Sequence, residues 1–211
     1  MNSISVNSAI HDRVYFEKWY SDRSCKDYRN LLGQIMQNFD PGKVLDVGAG
    51  VGHFIELLSQ WGVDCEGVDY SLDAVKLAKE RNSELNIIQH DVSCGLPYPN
   101  ESFGVIVLNQ IIAHLGHEVI LGLLKECYRV IKPGGGILIT GPSIYNKKVL
   151  AYDKSIISPF QYSTLKKLMI KYGFRDIGIN INKCRPLPLL GKRSVLLSNA
   201  LYKISKRDVF V

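Results

Sequence analysis

The sequence has no apolar run near the ~18–20 residues that a membrane-spanning helix needs, so no span is expected. It has no Cys-x-x-Cys pair. Its five cysteines, Cys25, Cys65, Cys94, Cys127 and Cys184, are odd in number and far apart. That spacing excludes the common zinc and thioredoxin-like motifs, and no metal site is expected. Met1–Ile10 lacks a basic start and an apolar block, so a secretory leader is not expected. Reduced thiols in a cytoplasmic setting follow as the simplest expectation. No internal repeat and no low-complexity tract occurs. Nor is there a basic stripe through the main body. The formal charge is +6, but residues 1–182 are balanced. The excess comes from Lys183, Arg185, Lys192, Arg193, Lys203, Lys206 and Arg207, opposed only by Asp208. A nucleic-acid-binding face usually spreads its basic residues across the fold, so nucleic acid is not the expected partner.

What remains is an ordinary globular composition, with 46% hydrophobic and 22% charged residues among 211. That length fits one domain over 1–211. Residues 1–40 read as an N-terminal helical cap rich in Tyr15, Phe16, Trp19, Tyr20 and Tyr28. Residues 41–182 read as the core and 183–211 as a basic C-terminal segment with a last strand.

The core alternates short apolar runs with helical spacing. Strands are expected at Lys43–Val47, Val63–Val68, Leu85–Gln89, Phe103–Leu108, Ile137–Thr140 and Phe174–Ile181, and a last one at Lys206–Val211. Helices are expected at His53–Gln60, Leu72–Arg81 (capped by Ser71), Glu118–Ile131 and Ser163–Tyr172. Apolar strands of four to six residues are buried on both faces and belong to a parallel sheet. The expected fold is therefore α/β: a Rossmann-like, doubly wound, seven-stranded sheet, mostly parallel with an antiparallel last strand.

The centre of interest is Val44-Leu-Asp-Val-Gly-Ala-Gly-Val-Gly52. Glycines 48, 50 and 52 let the backbone turn tightly and approach a ligand closely, at the start of a helix with free N–H groups. Two ligand classes fit a glycine loop here: a dinucleotide or S-adenosylmethionine. Dinucleotide sites use G-x-G-x-x-G under a pyrophosphate, whereas this spacing is G-x-G-x-G. Asp46, two residues before Gly48, would repel a pyrophosphate and attract a sulfonium or ammonium. At ~4 Å and an effective dielectric near 20 that attraction is about 4 kcal/mol before desolvation.

Further motifs follow in order: Glu66-Gly-Val-Asp-Tyr-Ser71, His90-Asp-Val-Ser93, Asn109-Gln-Ile-Ile-Ala-His-Leu115 and Tyr128-Arg-Val-Ile-Lys-Pro-Gly-Gly-Gly136. With these five motifs the chain resembles a class I S-adenosylmethionine-dependent methyltransferase of the small-molecule type, from about Tyr15 to Ile181. The resemblance implies S-adenosylmethionine as methyl donor and S-adenosylhomocysteine as product. It implies a cofactor site formed by Asp46, Gly48, Ala49, Gly50, Asp69, Tyr70, Asp91, Val92, Asn109 and Gln110. In it Asp69 accepts from the ribose hydroxyls, Tyr70 lies beside the adenine, and Asp91 with Val92 N–H reads the adenine edge. Asn109 and Gln110 lie near the methionine moiety. Gly134–Gly136 read as a turn rather than as ligand contacts.

Methyl transfer needs chiefly positioning, and a base only where the acceptor loses a proton. No catalytic residue is therefore assigned. His114 is the candidate base, with a structural role as the alternative, and His53 is read as a surface or pocket residue. Tyr15, Trp19, Tyr20, His114 and Tyr162 are the candidates for the substrate side and cap. The strand-four motif is not Asn-Pro-Pro-Tyr, which argues against methylation of base or amide nitrogens. In the basic tail, Leu197, Leu201 and Ile204 share a helical face. A helix packed on the core is expected there, with contact to an anionic membrane or lipid as the sharper alternative. The expected function is methyl transfer to a small molecule such as a lipid, quinone, sugar or secondary metabolite. The alternatives are an RNA- or protein-directed enzyme, or a non-catalytic cofactor-binding module.

Overall fold

The computed structural model describes residues 12–20, 28–145, 147–153, 155–159, 161–181 and 199–205; within these, the side chains of 18, 19, 148, 149, 178–181 and 199–205 lie outside the description. In chain order the elements are α1 (Arg13–Tyr20), α2 (Arg29–Asn38), β1 (Val44–Val47), α3 (His53–Gln60), β2 (Cys65–Asp69), α4 (Leu72–Arg81), β3 (Ile87–Gln89) and β4 (Phe103–Asn109). Then come α5 (His117–Val130), β5 (Ile131–Pro142), α6 (Lys147–Tyr152), α7 (Tyr162–Lys171), β6 (Arg175–Ile181) and β7 (Asn199–Ser205). One sheet runs β3-β2-β1-β4-β5-β7-β6, parallel from β3 to β5. β7 pairs antiparallel with both β5 and β6.

The alternation along each central strand explains the two-sided core. Leu45, Val47, Ile106, Leu108, Ile137 and Ile139 pack on one face with Leu123, Leu124 and Cys127 of α5. Val44, Val105, Val107 and Leu138 pack on the other with Phe54, Leu57 and Leu58 of α3 and Ile35 of α2. Successive strand residues point to opposite faces, so a strand apolar at every position needs helices on both sides. Full burial of each such side chain contributes about 2 kcal/mol. Ser71 caps α4 as expected, its hydroxyl accepting from Ala74 N–H at 3.2 Å.

Several expectations are corrected. Gly134–Gly136 do not end a helix in a turn. They lie inside β5, where the pairing with β4 jumps between Phe103 and Val105. The jump is a bulge, and Gly136 is needed there because an added Cβ would sit 1.7 Å from the Phe39 ring. Helix α6, between β5 and α7, was not among the expected elements.

The larger correction is at the C-terminal end. Leu201 and Ile204 do not belong to a helix but to strand β7. Positions three apart cannot share one face of a strand, so the ground for a membrane-facing amphipathic helix there is gone. The strand expected at 206–211, and Leu197 with the rest of 182–198, fall outside the described residues. Among the described residues no helix is long and apolar enough to cross a membrane, no metal-ligand cluster occurs, and Cys65, Cys94 and Cys127 are free thiols.

Candidate cofactor and acceptor site

The sheet's topology fixes where a ligand can sit. From β1 the chain builds outward to β2 and β3 on one side, and to β4 and β5 on the other. Beyond the carboxyl ends of β1 and β4 the connections diverge and leave a crevice. A cleft opens there, lined by Tyr15, Phe16, Tyr20, Gly48, Gly50, Val68, Asp69, Tyr70, Ser71, Asp91, Val92, Asn109, Gln110, Ile111, His114 and Leu115.

The glycine loop is one wall. Gly48 and Ala49 N–H both donate to Val68 O, at 2.8 and 3.0 Å. Gly48, Gly50 and Gly52 have φ of +76, +55 and +77°, a region that glycine enters without penalty. An added Cβ at Gly48 would meet Ile111 Cδ1 at 2.9 Å, so the loop and the turn after β4 close on each other across the cleft.

Asp69 ends β2 and is held by two backbone donors. Gly50 N–H reaches its Oδ2 at 2.7 Å, and Ser71 N–H its Oδ1 at 2.8 Å. Burial pushes its pKa up, and these two N–H groups oppose the shift. A carboxylate has about four acceptor positions, so each oxygen keeps capacity for another donor. Asp91 follows β3 and caps the short turn Val92–Cys94, accepting from Ser93 N–H at 2.9 Å.

On the other wall Asn109 Oδ1 accepts from the Thr140 hydroxyl at 2.5 Å, and Gln110 Nε2 donates to Thr140 Oγ1 at 3.3 Å. Gln110 has a φ of +65°. A left-handed, non-glycine residue at a cleft is the kind of backbone strain that clusters at functional sites.

Eleven of the fifteen expected site residues line this cleft: Gly48, Gly50, Asp69, Tyr70, Asp91, Val92, Asn109, Gln110, Tyr15, Tyr20 and His114. Asp46 does not. It is buried in the middle of β1, with Oδ1 lacking a hydrogen-bond partner. Burial, and then the charge of Asp69, push its carboxyl up to about 7. Asp46 is not among the residues lining the cleft, and all four residues of β1 are enclosed. Ala49 points away and packs with the α3 core. Tyr162 packs on the opposite core. The side chain of Trp19 is outside the described residues. His53 is buried between Tyr20 and Tyr28, with ring centroids 6.4 and 6.3 Å away, and is not among the residues lining this cleft. Sequence reading missed Phe16, Val68, Ser71, Ile111 and Leu115 as walls; the last four lie inside the quoted motifs without being singled out for the site, and Phe16 carries no motif.

The lining fits the methyl donor that the motifs imply. Among the described residues it offers two carboxylates, Asp69 and Asp91, and no lysine or arginine. A cation is favoured in such a field and a pyrophosphate is not. Gly48 and Gly50 keep one wall low, and aromatic rings of α1 supply an apolar roof.

The comparisons agree with this geometry. A family model described as a methyltransferase domain matches residues 16–178. Phosphoethanolamine N-methyltransferase of Plasmodium falciparum is 29% identical over 134 residues, covering 62% of this chain and 50% of that protein. The mitochondrial ubiquinone biosynthesis O-methyltransferase of Rattus norvegicus is 29% identical over 142 residues, covering 61% of this chain and 40% of that one. The chain thus spans half or less of the length of these curated relatives. Among solved structures, a SAM-dependent methyltransferase from Archaeoglobus fulgidus superposes with a TM-score of 0.74 at 23% identity, covering 92% of this chain and 98% of that one. At that identity the likeness speaks for the fold. With the matched model spanning most of its length, the chain belongs to the class I S-adenosylmethionine-dependent methyltransferases.

Proposed function

We propose that the chain transfers a methyl group from S-adenosylmethionine to a small-molecule acceptor and releases S-adenosylhomocysteine. The observation that carries this reading is the cleft at the β1/β4 divergence, lined by Asp69 and Asp91 and, among the described residues, by no lysine or arginine. The names of the relatives, an N-methyltransferase of phosphoethanolamine and an O-methyltransferase of ubiquinone biosynthesis, support a small-molecule acceptor.

The donor supplies an electrophilic methyl carbon on a positively charged sulfur that leaves as a neutral thioether. The chain's own task is to orient and to exclude water. Asp69, immobilised by Gly50 and Ser71 N–H, is assigned to the ribose hydroxyls. Tyr70 flanks the adenine, and Asp91 with Val92 N–H takes its edge. Asn109 and Gln110, pinned to Thr140, border the methionine moiety. Tyr15, Phe16 and Tyr20 cover the cleft from α1. Holding two reactants at near-attack distance can supply about 7 kcal/mol or more of the barrier reduction. No basic surface is required for this chemistry, and no nucleic-acid partner is proposed.

The test is transfer of labelled methyl from S-adenosylmethionine into an extract separated into lipid, small-molecule, RNA and protein fractions. Label should enter the small-molecule or lipid fraction. Label confined to RNA or protein contradicts the reading.

A further inference from the structure

The connection from β3 to β4 has little regular structure of its own. After the short turn Val92–Cys94 it runs through Gly95 to Asn100, and α5 holds it. Glu126 Oε2 accepts from Leu96 N–H at 3.0 Å, and Arg129 Nη2 donates to Leu96 O at 3.0 Å. One ion pair thus takes both backbone groups of a single residue. Arg129 Nη1 also donates to Tyr98 O at 2.7 Å and to Asn100 Oδ1 at 3.0 Å. Its Nε and Nη2 donate to Glu126 Oε1 and Oε2 at 2.9 and 2.6 Å. A guanidinium has five N–H donors in a fixed fork, and each of them has an acceptor here.

The clamped residue follows directly on the turn that borders the cleft. Asp91 and Val92 are both lining residues. Asp91 accepts from Ser93 N–H at 2.9 Å through Oδ1 and from Cys94 N–H at 3.0 Å through its carbonyl. Val92 O accepts from Gly95 N–H at 3.2 Å. Gly95 O lies 2.7 Å from His90 Nε2; a carbonyl only accepts, so the ring nitrogen donates. Gly95, with a φ of +88°, is the joint between turn and clamp, and an added Cβ there would meet Glu126 Oε2 at 3.1 Å. Val92 and Leu96 are buried in the same core as α5. These bonds give the turn its shape. Its place relative to the cleft is set by where α5 pins Leu96.

We propose that Glu126 and Arg129 are positioning residues for the purine edge of the methyl donor. By pinning Leu96 they hold the Asp91 carboxylate and Val92 N–H where that edge is read. Neither residue lines the cleft, so both act through the turn. The assignment deepens the methyl-transfer reading and takes its ligand from it. The fork of an arginine reaches two carbonyls, an amide oxygen and a carboxylate at once, which the compact ammonium of a lysine does not.

Two measurements on the full chain test this, in wild type, Arg129→Met and the milder Arg129→Lys. The first is amide hydrogen exchange without ligand. In Arg129→Met the Ser93, Cys94 and Gly95 amides should exchange about tenfold faster or more, relative to the amides of β1 and β4. Arg129→Lys should fall between, and it carries both measurements if Arg129→Met does not fold. The second is calorimetric affinity for S-adenosylhomocysteine and for its analogue whose purine lacks the 6-amino group. Wild type should prefer the former by about tenfold to a hundredfold, the loss of one hydrogen bond to a charged group. In the variants that preference should shrink toward unity. A loss of global stability alone weakens both ligands by the same factor and leaves the ratio unmoved. Turn amides that exchange no faster than those of β1 and β4, or full preference in a folded variant, overturn the assignment. So does equal affinity of wild type for the two ligands. A folded wild type that binds neither overturns the methyl-donor reading instead, and the exchange measurement still decides whether the pair holds the turn.

Discussion

The backbone N–H of Gly50 donates to Asp69 Oδ2 at 2.7 Å, bridging the carboxyl ends of two neighbouring parallel strands. The bond joins the glycine loop and the acid of the second motif into one unit. Neither group is placed without the other. The loop's turn presents the N–H, and the carboxylate, already committed on one side, presents its remaining lone pairs to the cleft.

Asp46 should make the fold's stability depend on pH. Its carboxyl is pushed up to about 7, first by burial and then by Asp69; in the unfolded chain it titrates near the usual 3.9. Between those values the folded protein holds a proton that the unfolded chain has released. Stability therefore falls as pH rises from about 4 to about 7, by an amount on the order of a few kcal/mol. Urea denaturation of wild type and Asp46→Asn at about pH 5 and about pH 8 checks this. The Asn variant should lose less stability across the interval, and an equal loss refutes the role.

Gly48→Ala should damage both fold and site. The φ of +76° strains any side chain, and the new Cβ would press on Ile111 Cδ1 at 2.9 Å and Ile111 Cβ at 3.0 Å. Strain and overpacking of this kind cost about 1–3 kcal/mol. Gly62→Ala is the control, with a φ of +70° and nothing within 4 Å. Denaturation and calorimetry should show a stability loss in both, but weakened S-adenosylhomocysteine binding only in Gly48→Ala.

Arg13 ties the aromatic roof to the core. Its guanidinium meets Glu80 through Nη1 and Nη2 at 3.2 and 3.1 Å and Glu17 at 2.7 Å, while its backbone N–H reaches Asp73 at 3.2 Å. These side chains are about half exposed, so the pair contributes little to global stability. Glu80→Gln should leave the melting temperature nearly unchanged yet speed release of S-adenosylhomocysteine a few-fold, read by stopped-flow. An unchanged release rate shows that α1 is held by its packing alone.

The central strands were legible because apolar residues stand at adjacent positions, as in Val44–Leu45 and Val105–Leu108, and a two-sided parallel core uses such runs. The glycine loop was legible because alternating glycines mark positive φ. Strand β7 was not. Leu197, Leu201 and Ile204 share a helical period, but what decides is the open edge of β5, about sixty residues earlier in the chain. Long-range pairing overrode a local pattern. The burial of Asp46 was not legible, because a motif shows spacing and not depth. The left-handed Gln110 and the hold of Glu126 on Leu96 were hidden for a related reason. No local pattern announces the first, and 30 residues separate the partners of the second.

The most direct measurement is calorimetric binding of S-adenosylhomocysteine to the native chain and to Asp69→Ala. The wild type should bind. The variant loses the acceptor for two backbone N–H groups and the one proposed for the ribose, and hydrogen bonds to a charged group contribute about 1.5–3 kcal/mol each. Its affinity should fall roughly tenfold to a hundredfold or more. No binding by a folded wild-type chain, or equal affinity in the variant, would contradict the assignment of this cleft to the methyl donor.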